Sequence, residues 1–139
     1  MNLSVQDAIR LTVGFSKLTN GYLVDEPIVD TLACNFIEAG YASVDKDVPL
    51  RYCLTQEGIE ILNPYITKVF DDFIGFIKKT ELDSYDDVSI QWFIDNYALE
   101  RTLAENLYWY FTYTSKRFGY EVSEYSQGKR RMFHFEKIK

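Results

Sequence analysis

The sequence predicts an α+β fold in which helices dominate. The chain has 139 residues, of which 47% are hydrophobic, and its 10 Phe, 11 Tyr and 2 Trp supply enough apolar area for a core without metal or disulfide support. Apolar residues recur at helical spacing through most of the chain. Two stretches, near residues 41–54 and 120–138, instead have the composition of paired strands around a polar turn.

Two helices are predicted in the first 40 residues. Ser4 can cap a helix over residues 5–18, in which apolar and small side chains fall on one face, and the Asn20-Gly21 pair can end it in a left-handed conformation. A second helix is predicted from a cap at Asp25 to Gly40, with apolar residues at helical spacing.

A hairpin and two further helices follow. Residues 41–44 and 51–54 predict two strands around the polar turn 45–49. Thr55 can cap a short helix that reaches Leu62, and Pro64 can occupy the first turn of a regular amphipathic helix that ends near residue 79.

Two motifs in this region carry a family resemblance. Ala39-Gly40-Tyr41 is similar to the helix stop that enters the wing of winged-helix transcription regulators, above all of the PadR and MarR types. Leu54-Thr55-x-x-Gly58-x-x-x-Leu62 resembles the return from the second strand of that wing. The resemblance covers residues 26–62. It implies a winged-helix domain over residues 1–80, with a DNA-contacting helix before the wing and a helix after it that often pairs two subunits.

The chain departs from these families in two ways. In those families two helices precede the helix that enters the major groove, whereas here only one helix is predicted before the matching helix. That helix region carries only acidic charges, which are Asp25, Glu26, Asp30 and Glu38, and the turn sets Lys46 between two aspartates. We expect this surface to repel DNA phosphates.

Residues 81–87 form an acidic connection to a second predicted unit over residues 88–139. This unit is expected to contain helices over 88–97 and 99–118 and a hairpin with strands at 120–125 and 130–138. Gly119-Tyr120 at its helix-to-strand junction parallels Gly40-Tyr41, so the unit is a candidate second, degenerate winged helix.

The helix predicted over residues 99–118 carries aromatic and polar side chains beside and behind its core stripe. They are Tyr108, Trp109, Thr112 and Tyr113. One face cannot bury them all. Three interpretations follow: the helix is buried between two layers, it contacts a protein partner such as a second copy of the chain, or it stacks on unpaired bases.

The net charge of −6 is unevenly distributed, because residues 106–139 contain 7 bases and 3 acids whereas residues 71–105 contain 9 acids and 3 bases. The candidate nucleic-acid-binding residues are Lys116, Arg117, Lys129, Arg130 and Arg131. The alternative is that these charges offset the acidic stretch or keep the hairpin soluble. The acidic stretch could in turn imitate phosphates toward a nucleic-acid-binding partner.

The sequence contains no recognisable catalytic motif. Its only histidine, His134, and its two cysteines, Cys34 and Cys53, cannot supply four Cys or His ligands to zinc. We expect a cytoplasmic protein that is not an enzyme, with no cofactor, metal, small-molecule substrate or membrane segment. The expected function is that of a winged-helix regulatory protein, a homodimer that contacts nucleic acid through its C-terminal hairpin. The alternative is a winged helix that has lost DNA binding and acts as a protein-interaction module or inhibitor.

Overall fold

The computed structural model describes residues 2–19, 21–46 and 50–139, and the chain divides into an N-terminal unit, Met1–Ile66, and a C-terminal unit, Thr67–Lys139. The helices of the described ranges are α1 (Val5–Gly14), α2 (Thr31–Glu38), α3 (Gln56–Thr80), α4 (Asp86–Tyr97) and α5 (Arg101–Tyr113). The strands are β1 (Ala42–Asp45), β2 (Arg51–Leu54), β3 (Tyr120–Gln127) and β4 (Arg130–Lys137). The predicted α+β class with dominant helices is confirmed.

Helix α1 starts at the predicted cap but ends early. The Ser4 hydroxyl accepts a hydrogen bond from the Asp7 backbone N–H at 3.0 Å. The helix ends at Gly14 rather than at residue 18, because the Thr19 hydroxyl donates to the Val13 carbonyl, which a longer helix would use itself. Gly21 has a φ of 53°, as expected for a left-handed residue, whereas Asn20 lies outside the described residues.

The start of α2 corrects the prediction of a cap at Asp25. The cap is Asp30, whose carboxylate accepts from the Leu32 and Ala33 N–H groups at 3.0 and 3.4 Å. Arg10 and the Tyr22 hydroxyl hold the same carboxylate at 3.2 and 3.1 Å. Contacts from distant residues therefore decide where this helix begins.

The first hairpin pairs β1 with β2 in the expected place. Ala42 pairs with Leu54 and Asp45 with Arg51. Leu23 adds an isolated antiparallel bridge to Arg51. Of the predicted turn, Asp47, Val48 and Pro49 lie outside the described residues. Among the described residues one helix, α1, precedes α2, as the sequence predicts.

Helix α3 is continuous where the sequence predicts two pieces. The Thr55 hydroxyl caps it by accepting from the Gly58 N–H at 3.2 Å, and the helix runs through Pro64 to Thr80. Proline removes one helical hydrogen bond, but Leu62 and Ile66 on either side are fully buried and hold the helix together. The boundary between the two units lies inside α3, between Ile66 and Thr67, and not at the expected connection, residues 81–87. In that segment Asp86 and Asp87 already belong to α4.

An aromatic core fills the C-terminal unit. Its fully buried rings are Phe70, Phe73, Phe93, Tyr108, Phe111 and Phe133. Helix α5 is buried on more than one side, which matches the interpretation of a central helix. It ends at Tyr113 and is followed by a 3-10 turn at Ser115–Phe118, where the sequence predicts one helix over residues 99–118. The Thr112 and Thr114 hydroxyls donate to backbone carbonyls four residues earlier, which favours the end of a helix.

Strands β3 and β4 form a second antiparallel hairpin, closed by the two-residue turn Gly128-Lys129. Gly128 has a φ of 63°, a conformation that suits the first position of such a turn. The backbone of Ser84 pairs with Phe133 of β4 through two hydrogen bonds of 3.0 and 2.8 Å. A single residue of the segment before α4 therefore lies beside β4, just as Leu23 lies beside β2.

Candidate nucleic-acid interface

The hairpin separates the five predicted basic residues into two groups. Lys129, Arg130 and Arg131 surround the closed end of the hairpin, whereas Lys116 and Arg117 lie in the 3-10 turn just before β3, at its open end. Each strand of the hairpin has eight paired residues, so its open and closed ends are about 25 Å apart. The predicted basic cluster is therefore not one patch.

Arg131 lies at the centre of a contact between the hairpin and α5. Its guanidinium lies 5.3 Å from the centroids of the Trp109 and Phe133 rings, and its Nη2 donates to the Tyr113 hydroxyl at 3.3 Å. The Trp109 and Tyr113 rings stack with centroids 5.7 Å apart. We call Trp109, Tyr113, Arg131 and the adjoining Glu124 the aromatic–arginine cluster. It combines a guanidinium with two accessible rings on one surface.

Glu124 neutralises part of this cluster. Its carboxylate accepts a hydrogen bond from Arg131 Nε, and the two side chains form an ion pair. This bond lowers the pKa of Glu124, and, together with the Tyr113 contact, it raises the pKa of Arg131. Both side chains stay about half exposed, at 46% and 51%. The guanidinium is thus oriented but still accessible to an anion.

Arg130 faces the opposite side of the hairpin. Its guanidinium lies 4.5 Å from the centroid of the Tyr85 ring, a cation–π geometry. Together with Lys129 and Met132 these residues line an open groove of about 400 Å³. The hairpin turn therefore presents positive charge on both of its sides.

Arg117 is held away from the hairpin turn. Its guanidinium donates to the Tyr110 hydroxyl and lies 5.3 Å from the centroid of the Phe118 ring. Lys116 is exposed in the same 3-10 turn. These two residues form a smaller basic site at the open end of the hairpin.

The four predicted interface residues of α5 separate into two pairs. Tyr108 and Thr112 are buried, at 0% and 4% exposure, so they cannot contact a partner, because the core of the C-terminal unit covers them. Tyr113 is 56% exposed and Trp109 is half-buried. Trp109 and Tyr113 remain as the accessible aromatic residues.

Tyr108 belongs to a buried hydroxyl network. Its hydroxyl lies 2.9 Å from Ser84 Oγ, which lies 3.0 Å from Ser89 Oγ. Burial is the main cause that raises the pKa of Tyr108 to about 12. The network joins Ser84, in the segment before α4, to both α4 and α5. Because the backbone of Ser84 also pairs with β4, the network fixes the segment that borders the hairpin.

His134 in β4 is exposed, as predicted, and its Nδ1 lies 2.9 Å from Asp83 Oδ1. Among the described residues, no group of three or more His, Cys, Asp and Glu side chains could hold a metal ion. Within the same ranges, no helix has the length and apolar character needed to cross a membrane.

Tyr85, Glu124 and Asp83 contact the residues of the hairpin but are not among the site residues that the sequence predicts. For Glu124 a signal existed, because Glu124 and Arg131 lie on the two strands that flank the predicted turn and at diagonal positions of the register. For Tyr85 and Asp83 no local pattern indicated contact with the hairpin. Comparisons with known protein families, with curated proteins and with solved structures find no match for this chain.

Proposed function

We propose that this chain is a non-catalytic regulatory protein of winged-helix type that binds nucleic acid through its C-terminal unit. The observation that supports this most is the placement of Arg131 against Trp109 and Tyr113. The hairpin turn and the exposed side of α5 thereby share one surface of positive charge and accessible rings.

The element order of the C-terminal unit supports this proposal. Two helical segments, the part of α3 from Thr67 onward and α4, precede α5, which leads into the hairpin. Winged-helix regulators have two helices before the one that enters the major groove, followed by the wing. By this order α5 corresponds to the groove-reading helix and the β3–β4 hairpin to the wing.

The charges of the two units favour the same assignment. In the N-terminal unit α2 and its preceding segment carry acids and no Lys or Arg. In the C-terminal unit, Thr102 and Tyr113 of α5 are exposed and Asn106 is half-buried, and such polar side chains can hydrogen-bond to base edges or phosphates. The positive charges that attract the phosphate backbone lie on the adjoining hairpin turn.

A binding experiment tests this function directly. Fluorescence anisotropy would measure the affinity of the full chain for a labelled DNA duplex and for single strands of DNA and RNA, at low and at physiological salt. The triple variant K129A/R130A/R131A should bind at least about tenfold more weakly, with a salt slope reduced by about 2 to 3. A parent protein that binds none of these probes at low salt would contradict the proposal.

A matched control separates a specific surface from net charge. K68A/K78A/K79A removes three lysines from α3, all of them exposed, and changes the net charge by the same amount. We expect it to retain most of the affinity. An equal loss in both variants would show that only overall charge matters.

The second candidate function is that of a protein-interaction module. The exposed carboxylates of Asp25, Glu26 and Glu38, in a unit whose α2 has no basic residue, favour it. The expected homodimer belongs to the same question. Light scattering at high concentration, on the parent and on Tyr113→Ala, would show whether the exposed rings of α5 join two subunits.

A further inference from the structure

An aromatic groove with an acidic rim lies on the C-terminal unit, apart from the residues of the aromatic–arginine cluster. It has a volume of about 600 Å³. Its lining residues are Phe76 of α3, Asp87, Val88, Gln91, Trp92 and Asp95 of α4, and Arg101 of α5. A volume of this size accommodates one or two large side chains of a partner.

The floor of the groove is apolar and accessible. The Phe76 and Trp92 rings stack with centroids 5.1 Å apart and planes inclined by 15°, and both side chains are only partly buried. Val88 beside them is 40% exposed. Exposed apolar residues that adjoin one another in a concave surface are typical of a protein-binding site.

The rim of the groove has an excess of negative charge. Arg101 is neutralised by Glu105 at 3.1 Å. Asp95 accepts a hydrogen bond from the Gln91 amide at 2.8 Å, and within the described part of the chain no cation pairs with Asp87 or Asp95. A second groove of about 350 Å³ shares Phe76 and Trp92 and is also lined by Asp71, Asp72 and Lys79. Asp72 pairs with Lys68 at 3.0 Å, so the excess of negative charge lies at Asp87 and Asp95.

We propose that this groove binds a basic amphipathic helix of another protein. Asp87 and Asp95 are eight residues apart on α4, about 12 Å along its axis. Two Lys or Arg side chains about two turns apart on the partner would reach the two carboxylates. An apolar side chain one turn from each would then lie on Trp92 and Phe76.

Two other occupants fit the groove less well. A nucleic acid would place its phosphates against the carboxylates of the rim, which repel them. The basic hairpin turn of a second copy would bring Ser126, Gln127, Gly128 and Lys129, none of which has an apolar side chain for the aromatic floor. A helix of another protein that carries both positive charge and apolar side chains matches both the acidic rim and the aromatic floor.

A designed peptide provides the probe. It would be a labelled helical peptide of about 14 residues with two Lys seven residues apart and Leu and Phe between them on the same face. Fluorescence anisotropy with the full chain should show saturable binding that weakens with salt. Two matched peptides, one with Glu for Lys and one with Ser for Leu and Phe, should bind at least about tenfold more weakly.

Isosteric variants locate the binding site. D87N/D95N should weaken binding about tenfold, whereas D25N/E26Q, which removes two exposed carboxylates from the N-terminal unit, should have little effect. Val88→Arg, which adds a positive charge to the floor, should abolish binding while circular dichroism shows an unchanged fold. Peptide binding should persist in K129A/R130A/R131A, so that this inference and the proposed function are tested separately.

Several results would overturn the inference. They are no saturable binding to the parent, an equal effect of D87N/D95N and D25N/E26Q, or full binding by the peptide that lacks Leu and Phe. A parent dimer that D87N/D95N dissociates, seen by sedimentation velocity, would assign the groove to a second copy instead.

Discussion

Asp83 and His134, 51 residues apart, are joined by a contact of 2.9 Å between Oδ1 and Nδ1. The Tyr125 hydroxyl donates to the other oxygen of the same carboxylate at 2.5 Å. These contacts attach the segment before α4 to both strands of the hairpin. Burial alone would raise the pKa of Asp83, but the hydrogen bonds from Tyr125 and His134 outweigh it and lower that pKa. The bond to Asp83 raises the pKa of His134.

The Asp83–His134 contact should make stability depend on pH. Because the pKa of His134 is raised in the folded state, its contribution is complete below the ordinary value of 6.5 and is lost as pH rises through the folded pKa. Because the pKa of Asp83 is lowered, its contribution is present above the ordinary value of 3.8 and is lost as pH falls through the folded pKa. The contact is therefore strongest between these two values. Thermal unfolding would compare the stability of the parent and of His134→Gln at pH 5.5 and at pH 8.5. We expect His134→Gln to be less stable than the parent by more at pH 5.5 than at pH 8.5, and by less than about 1 kcal/mol at either pH.

Tyr125→Phe is the control for this pH dependence. It removes a hydrogen bond to the same carboxylate, but the tyrosine stays protonated over that interval, since its pKa is raised above 10.0. The loss of stability that Tyr125→Phe causes should therefore differ much less between pH 5.5 and pH 8.5 than the loss that His134→Gln causes. A His134→Gln difference that does not depend on pH would show that the contact is not formed in solution.

Glu124→Gln should strengthen nucleic-acid binding if the proposed function holds. The substitution removes the carboxylate that competes with phosphates for Arg131 and adds one unit of positive charge to the aromatic–arginine cluster. We expect about two- to fivefold tighter binding at low salt. Glu136→Gln makes the same charge change near the open end of the hairpin and should have a smaller effect. Anisotropy titrations with a DNA duplex would measure both, and equal effects would contradict a specific role for Glu124.

Tyr108→Phe should destabilise the C-terminal unit. Its hydroxyl bonds to Ser84 in a buried network, and its loss leaves Ser84 with Ser89 as its only side-chain partner in that network. We expect a cost of about 1 kcal/mol in the free energy of unfolding. Urea unfolding followed by circular dichroism would measure it. Tyr113→Phe removes an exposed hydroxyl and should cost less than about 0.5 kcal/mol, so an equal loss in both variants would show that the buried network adds nothing.

Two glycines of α3 should respond to alanine in opposite directions. A Cβ at Gly58 would lie 2.0 Å from the Tyr41 carbonyl oxygen, whereas one at Gly75 meets nothing within 4 Å. Gly75→Ala should stabilise the chain by about 0.5 to 1 kcal/mol through helix propensity. Gly58→Ala should destabilise it by about 2 kcal/mol or more, because backbone must move. Thermal unfolding of both variants tests this, and a neutral Gly58→Ala would mean that the close approach to Tyr41 is absent.

Local signals in the sequence predicted much of the fold. The caps at Ser4 and Thr55 follow from hydroxyl side chains just before apolar periodicity, and both form. The start of α2 could not be predicted in this way, since Asp30 acts as the cap while Arg10 and Tyr22 hold it. In the same way Pro64 indicated a helix start, but burial of the flanking residues kept α3 continuous.

The candidate site was predicted in its composition and not in its arrangement. Charge counts identified Lys129, Arg130 and Arg131, and these residues do surround the hairpin turn. Their partners depend on strand register and on which side of the hairpin each side chain faces, and so Glu124 and Tyr85 were missed. The division of the α5 aromatics into buried and accessible pairs likewise follows from packing on both sides of that helix.

Both tryptophans of the chain belong to the C-terminal unit, one in the aromatic–arginine cluster and one in the aromatic groove. Trp109 contacts Arg131, and Trp92 forms part of the groove floor. Selectively excited tryptophan fluorescence of this protein therefore reports on the C-terminal unit and not on the N-terminal unit. Single-tryptophan chains, made by Trp92→Phe or Trp109→Phe, would report separately on the two surfaces, so that occupation of either one can be followed without an attached dye.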